Sequence, residues 1–160
     1  LQTIFSRCQS IRVLPLNKEE LEQVKAMKPS DDREEYDFFM NLFSDLMQSL
    51  LSRNLSAALD CGEAIASLES REKQKAFCNF AGNCIRKIFM LQQNMQQIAD
   101  IEPQEEEFFA SVAGRCGDGF CSKAMTNIEK VTAMIDRNVN SKILFCDLVD
   151  RMFISLKNYD

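Results

Sequence analysis

The chain has 160 residues, of which 46% are hydrophobic and 27% are charged, and its formal net charge is −5. This length corresponds to one domain that can bury a sizeable core, and the acidic balance argues against a surface built to neutralise nucleic-acid phosphates. No apolar run approaches the ~18 residues that a membrane-spanning helix needs, so no membrane contact is expected.

The sequence also lacks the usual groups of catalysis. It contains no His, which removes the common general base at neutral pH. It contains neither a GxxxxGK[ST] nor a GxGxxG stretch that could hold nucleotide phosphates. We therefore expect no bound cofactor and a chain that is not an enzyme by itself.

The seven cysteines form no regular pattern. An odd number of thiols at irregular spacing is typical of a reduced, cytosolic protein, so a cytoplasmic location is expected. Cys116 and Cys121 have a spacing that suits zinc ligands, but no second pair lies at a helpful distance and no His is present. No metal site is predicted. A metal or redox sensor built on these two thiols is a lesser alternative.

The first predicted elements are a strand-like stretch and a short helix. Residues 3–14 are apolar and β-branched in weak alternation, which favours a strand, and Pro15 ends it. Asn17 is placed to cap a helix over residues 18–27, whose first turn is acidic. Residues 28–32, Lys-Pro-Ser-Asp-Asp, form a polar break and the predicted domain boundary.

Apolar residues at three- and four-residue spacing predict helices through the rest of the chain. Ser70 and Ser141 are predicted helix caps, and Pro103 is predicted to open a short acidic helix. The predicted helices run from Asp31 or Asp32 to 51, then over 55–68, 71–98, 103–113, 120–135 and 141–156, with a loop at 114–119.

The last predicted helix carries two adjacent apolar rows, which indicates packing on more than one side. The apolar stripes are read as an ordinary bundle core. Phe occupies twelve positions, which is generous for an isolated bundle, so the alternative is that part of one face serves as a subunit interface. We predict an all-α fold in which residues 33–160 form a bundle of five or six helices, preceded by a strand-like segment at 1–16 and a linker at 17–32. The two rows are Leu144, Leu148 and Met152, and Phe145, Val149 and Phe153.

Three stretches resemble clamp-loader subunits of the AAA+ class. Residues 4–9, Ile-Phe-Ser-Arg-Cys-Gln, followed by Ile-Arg-Val-Leu-Pro-Leu at 11–16, are similar to the end of the AAA+ module, where Ser-Arg-Cys closes a helix just before a strand. Residues 135–148 resemble the "I-x-R-N-x-N-x-K-x-x-x-x-x-L" stretch in the C-terminal collar domain of bacterial DNA polymerase III delta-prime subunits. Residues 71–77 are similar to the collar's "R-E-x-Q-K-x-F" helix.

This resemblance gives each predicted segment a place in the family's architecture. Residues 1–16 would be the C-terminal, strand-like remnant of the AAA+ module, and residues 33–160 the collar-type helical bundle. Residues 17–32 offer one short helix where the family has a lid of several helices, so they correspond to a shortened lid or linker. The nucleotide-binding core would precede Leu1.

The resemblance also implies a role for Arg7. In the family, the arginine of Ser-Arg-Cys acts in trans as an arginine finger on the ATP held by the neighbouring subunit. A planar, permanently charged guanidinium suits the γ-phosphate because it can bond two oxygens and stabilise transition-state charge. Arg7 is therefore the predicted catalytic residue, without any cofactor bound by this chain.

The implied partners are the other clamp-loader subunits, bound through the collar, with DNA reached only indirectly through the assembly. Such a subunit supports ATP-dependent loading of the sliding clamp during DNA replication. Arg137, Asn138 and Asn140 are expected to shape a turn between two helices, and not to perform chemistry. The alternative is an unrelated all-α adaptor domain in which Ser6-Arg7-Cys8 is a coincidence.

Overall fold

The computed structural model describes residues 30–157, and all regular secondary structure in that range is helical. The predicted all-α fold is confirmed there, while the strand-like segment, the short helix over 18–27 and Arg7 lie outside the described residues. None of the helices in this range has the length and apolar character needed to cross a bilayer. The α-helices are α1 (Ser30–Leu51), α2 (Leu55–Ala66), α3 (Arg71–Gln92), α4 (Glu106–Arg115), α5 (Asp118–Ile135) and α6 (Ser141–Lys157), with a 3₁₀ turn at Gln96–Ile98.

The hydrophobic core lies in the unit that begins at Asp37. Within that unit α3 packs against α5 and α4, while α6 packs against α2 and α5. Phenylalanine rings connect α1 to this arrangement: Phe39 meets Phe77 edge-on at 5.6 Å between centroids, and Phe43 contacts Phe108 of α4 at 6.3 Å. Edge-to-face pairs of this kind add to the stabilisation from buried area.

Helix α6 is buried along both of its predicted apolar rows. Phe145 and Val149 are fully buried, and Phe153 retains only 8% of its exposure. The two rows are accommodated because α2 lies on one side of the helix and α5 on the other. The prediction that this helix packs on more than one side is therefore confirmed.

Two predicted helix boundaries follow from side-chain caps. The Oγ of Ser70 accepts a hydrogen bond from the Lys73 amide at the start of α3, as predicted. Arg53 adopts a left-handed backbone with φ of 59°, which ends α1, and the Asn54 Oδ1 accepts a hydrogen bond from the Ala57 amide at the start of α2. Satisfying these otherwise unpaired amides fixes where each helix begins.

Other predicted boundaries are wrong. Helix α3 ends at Gln92 and does not reach Ile98, because Asn94 takes a left-handed conformation and the Met95 amide bonds back to the Met90 carbonyl, a common helix C-cap. Residues 103–105 form a turn, so Pro103 does not open α4. The loop predicted at 114–119 shrinks to Cys116 and Gly117.

The cap of α6 is also different from the prediction. Asn140, and not Ser141, accepts the Ile143 amide through its side chain at 3.2 Å. Ser141 is the first residue of the helix, and its hydroxyl bonds elsewhere, to Gln74 Oε1 at 2.9 Å. Both residue types are good caps, so the tertiary contact of Ser141 decides between them.

Candidate functional site

The predicted catalytic residue, Arg7, lies outside the described residues. Its assignment as an arginine finger therefore stays a prediction, as do the segment boundaries at 1–16 and 17–32. The remaining residues that carry the clamp-loader resemblance, in 71–77 and 135–148, lie within the described range.

These two stretches meet in space. The guanidinium of Arg71 at the start of α3 donates a hydrogen bond of 2.8 Å to the carbonyl oxygen of Ile135, the last residue of α5. One turn further along α3, the ammonium of Lys75 pairs with the carboxylate of Asp136. The first turn of α3 thus holds the C-terminal end of α5, where the unbonded carbonyls of a helix favour a cation.

Gln74 joins the same corner from within the core. Its side chain is 4% exposed, its Nε2 donates to the Ala66 carbonyl at the end of α2, and its Oε1 accepts from Ser141 at the start of α6. The side-chain amide of Gln74 thereby links α2, α3 and α6. Both of its polar atoms have partners, which avoids the desolvation penalty of burying them unpaired. We name this set of contacts, made by Arg71, Gln74 and Lys75 to the 135–141 connection, the α3 corner.

The connection itself is shaped by asparagines. Asn138 has a φ of 59°, a left-handed conformation that Asn tolerates better than most residues, and Asn140 caps α6. Arg137 is exposed. The arrangement agrees with the expectation that these residues set a turn, and the α3 corner positions helices without presenting reactive groups to solvent.

The Cys116 and Cys121 pair is incorporated into the core. Both side chains are buried, the Cys121 thiol donates to Gln92 Oε1 at 3.4 Å, and Gln92 Nε2 donates to the Cys116 carbonyl at 2.6 Å. Burial raises the pKa of Cys116 to about 11, against a smaller lowering by Arg115. The thiolate that binds metal or attacks an oxidant is therefore disfavoured at this position.

Other buried thiols behave in the same way. Desolvation raises the pKa of Cys78 to about 11 and that of Cys84 to about 12. Within the described part of the chain, no group of three or more His, Cys, Asp or Glu side chains is placed to hold a metal ion. A sensor function gains no support from these positions.

Two exposed apolar side chains, Met134 of α5 and Ile154 of α6, line a groove between these helices. Met134 is 41% exposed and Ile154 is 50% exposed. The groove consists of two adjoining depressions of about 420 and 120 Å³ that share Lys130 and Arg151 in their linings. We name this surface, with its apolar ends at Met134 and Ile154, the α5–α6 groove.

Basic side chains line this groove although the whole chain is acidic. Lys123, Lys130 and Arg151 contribute to the lining, and the one carboxylate in it, Asp147, accepts a 2.6 Å hydrogen bond from Arg151. This hydrogen bond raises the pKa of the Arg151 guanidinium, so the group stays positively charged. The groove thus combines exposed aliphatic groups with net positive charge.

The sequence did not point to this surface, because the feature taken as the sign of an interface was the number of phenylalanines. Phe43, Phe77, Phe109, Phe120 and Phe145 are all fully buried, so these five rings build the core and are not exposed to a partner. The signal that could have found the groove is Ile154, which falls outside the two buried rows of α6.

A second exposed apolar patch lies at the end of α3. Phe89, Met95 and Ile98 are 42%, 48% and 63% exposed.

Comparison of the chain with protein-family models, with characterised proteins and with solved structures finds no significant match in any of the three.

Proposed function

We propose that this chain is the C-terminal part of a clamp-loader subunit of the bacterial delta-prime type, whose helical domain assembles with neighbouring subunits during sliding-clamp loading in DNA replication. The observation that supports this most is the α3 corner. The two stretches that resemble the collar domain are separated by dozens of residues, yet they contact each other through Arg71, Gln74 and Lys75.

This contact supplies one physical reason why the stretches at 71–77 and 135–148 would resemble the collar domain together. The first turn of α3 and the 135–141 connection constrain each other's residue types: a cation faces a helix C-terminus, and an amide bridges two helix ends. Two chance matches in an unrelated bundle would have no reason to fall on the two sides of one contact. The fold class also fits, since an all-helical domain can hold subunits together without chemistry of its own.

In this proposal the work of the chain is divided between its two ends. The helical domain holds the subunit in the ring, and Arg7 reaches the ATP of the adjacent motor subunit. A guanidinium supplied in trans stabilises the charge that develops on the transferred phosphoryl group. Hydrolysis is thereby coupled to correct assembly.

The test uses the full-length protein, which on this proposal includes an AAA+ core encoded upstream of Leu1. It is mixed with candidate motor and clamp-opening subunits, and assembly is followed by size-exclusion chromatography with light scattering. A stable hetero-oligomer supports the proposal. Failure to co-assemble, or a reading frame without an AAA+ core, would instead favour the adaptor alternative.

The role of Arg7 is tested in the assembled complex. We expect Arg7→Ala to leave assembly intact and to lower ATP turnover on primed DNA by about tenfold or more, because arginine fingers contribute large factors to phosphoryl transfer. Arg12→Ala, in the same stretch, is the matched control and should keep wild-type turnover. Equal turnover in the two variants would remove the finger assignment while leaving the assembly role standing.

A further inference from the structure

We propose that the α5–α6 groove is a docking site for an acidic amphipathic helix of a neighbouring protein chain. This inference deepens the proposed function by naming the chemistry of the partner, and it rests on that function only for the partner's identity. It is carried by the shape, the charge and the apolar ends of the groove.

The dimensions of the groove suit a helix. Its lining runs along α5 from Ser122 to Met134, a distance of about 18 Å at 1.5 Å per residue. On α6 the lining runs from Leu144 to Ser155, which is about three turns of helix and a similar length. A ligand helix with apolar residues at i, i+4, i+7 and i+11 would meet aliphatic groups at both ends of the site.

The charge of the groove selects an acidic ligand. The lining contains three cations, Lys123, Lys130 and Arg151, and one carboxylate, that of Asp147, which accepts a hydrogen bond from Arg151. The exposed carboxylates of Glu129 and Asp150 are not part of the lining. Complementary charge speeds association and excludes partners of the wrong sign.

The same features argue against nucleic acid as the occupant. Phosphate binding relies on many clustered cations, and the chain as a whole has a net charge of −5. Exposed isoleucine and methionine at the ends of the site contribute nothing to phosphate contacts, whereas they provide hydrophobic anchors for a helix.

The test is a titration of the 160-residue chain with a defined peptide, followed by methyl NMR of labelled Ile, Leu and Met. The probe is a helical peptide with leucines at i, i+4, i+7 and i+11 and glutamates on its other faces. We expect saturable shifts of Met134 and Ile154 and unchanged signals from Ile98 and Met95. A matched peptide with lysines in place of the glutamates should not bind.

Substitutions then locate the site. Lys130→Glu and Ile154→Asp should each weaken binding by about tenfold, as expected for a charge partner and an apolar anchor. The matched controls, Arg86→Glu and Ile98→Asp, make the same charge reversal and the same replacement of isoleucine by aspartate at exposed positions outside the groove. Both should bind like wild type. Thermal melting of all four variants checks that each remains folded.

Several results would overturn the proposal. Equal shifts at Ile98 and Ile154, or equal binding of the acidic and basic peptides, would contradict it. So would binding of a dT oligonucleotide at the groove in place of the peptide. Self-association that Ile154→Asp abolishes would show that the groove binds a second copy of the chain instead.

The titration contains no clamp-loader subunit. A failed titration therefore leaves the proposed function standing, and failed co-assembly leaves the docking site standing.

Discussion

At the scale of single residues, buried amides and one glycine fix how the helices meet. Gln74 links the end of α2 to the start of α6. Gln92 accepts a hydrogen bond from the Cys121 thiol and donates to the carbonyl oxygens of Ala113, in α4, and Cys116, just after it. Within the described residues no buried side-chain nitrogen or oxygen lacks a hydrogen-bond partner. Such satisfied polar groups specify one arrangement of helices, because a shifted arrangement would leave them buried and unbonded.

Gly62 allows the closest approach of α2 and α6. A methyl group at this position would lie 3.1 Å from Val149 Cγ2 and 3.3 Å from the Phe145 carbonyl oxygen. Val149 is fully buried and β-branched, so it has little freedom to move away. We expect Gly62→Ala to lower the free energy of unfolding by about 1 kcal/mol, since overpacking outweighs the gain in helix propensity.

The control for this prediction is Gly114→Ala. Gly114 is exposed within α4 and a methyl group there would meet no atom within 4 Å, so the free energy of unfolding should rise by about 0.5 kcal/mol. Urea denaturation followed by circular dichroism measures both variants. A stabilised Gly62→Ala would show that α2 and α6 can separate without loss.

At the scale of elements, apolar periodicity predicts where helices lie but not how they end or which polar groups they share. The two buried rows of α6 and the cap at Ser70 could be predicted because each depends on residues within a few positions of one another. The end of α3 is set by the left-handed backbone of Asn94, which apolar spacing does not indicate, whereas the position of Asn140 as a cap and the α5–α6 groove depend on contacts between distant segments. A local pattern carries no information on such pairings.

The contact between α3 and α4 illustrates such a pairing. Lys87 Nζ lies 3.2 Å from Glu105 Oε2 and 5.2 Å from the centroid of the Phe109 ring. The side chains of Lys87 and Glu105 are only 18% and 6% exposed. This ion pair tethers the beginning of α4 to the middle of α3, and nothing in the spacing of apolar residues predicts it.

We expect Lys87→Met to lower the free energy of unfolding by about 2–3 kcal/mol, because it leaves the buried carboxylate of Glu105 without this cation. Adding Glu105→Gln should restore part of the loss by removing the charge. The matched control is Lys142→Met, whose partner Glu63 lies at 2.9 Å in an exposed pair and which should leave stability nearly unchanged, because water screens exposed ion pairs. Equal effects of Lys87→Met and Lys142→Met would show that burial adds nothing to the α3–α4 pair.

At the scale of the whole molecule, the core is a mixture of phenylalanine, aliphatic side chains and protonated thiols. Cys78, Cys84 and Cys116 are each less than 10% exposed, and burial raises their pKa values to about 11, 12 and 11. In the unfolded chain these thiols ionise near their ordinary pKa of about 9. In alkaline solution the folded chain therefore keeps protons on these thiols that the unfolded chain releases.

The sign of the resulting pH dependence follows from this difference. Below about pH 8 both states keep the protons and stability is insensitive to these groups. Between about pH 9 and the folded-state pKa values the unfolded chain binds fewer protons, so the free energy of unfolding falls as pH rises. The three thiols together should lower it by about 4 kcal/mol between pH 8 and pH 10, as measured by urea denaturation at each pH.

Cys84→Ala tests the origin of this slope, since Cys84 has the most strongly raised pKa of the three. The variant should lose some stability at pH 7 through lost packing, yet its decline between pH 8 and pH 10 should be smaller than that of wild type by about 1 kcal/mol. Ile88→Val is the matched control because it removes a buried methyl group from the same helix at a cost of about 1 kcal/mol while keeping every thiol. If Cys84→Ala and Ile88→Val showed the same dependence of stability on pH, the decline would arise from groups other than the Cys84 thiol. Ionisation of this thiol would then make no measurable contribution to the stability of the fold.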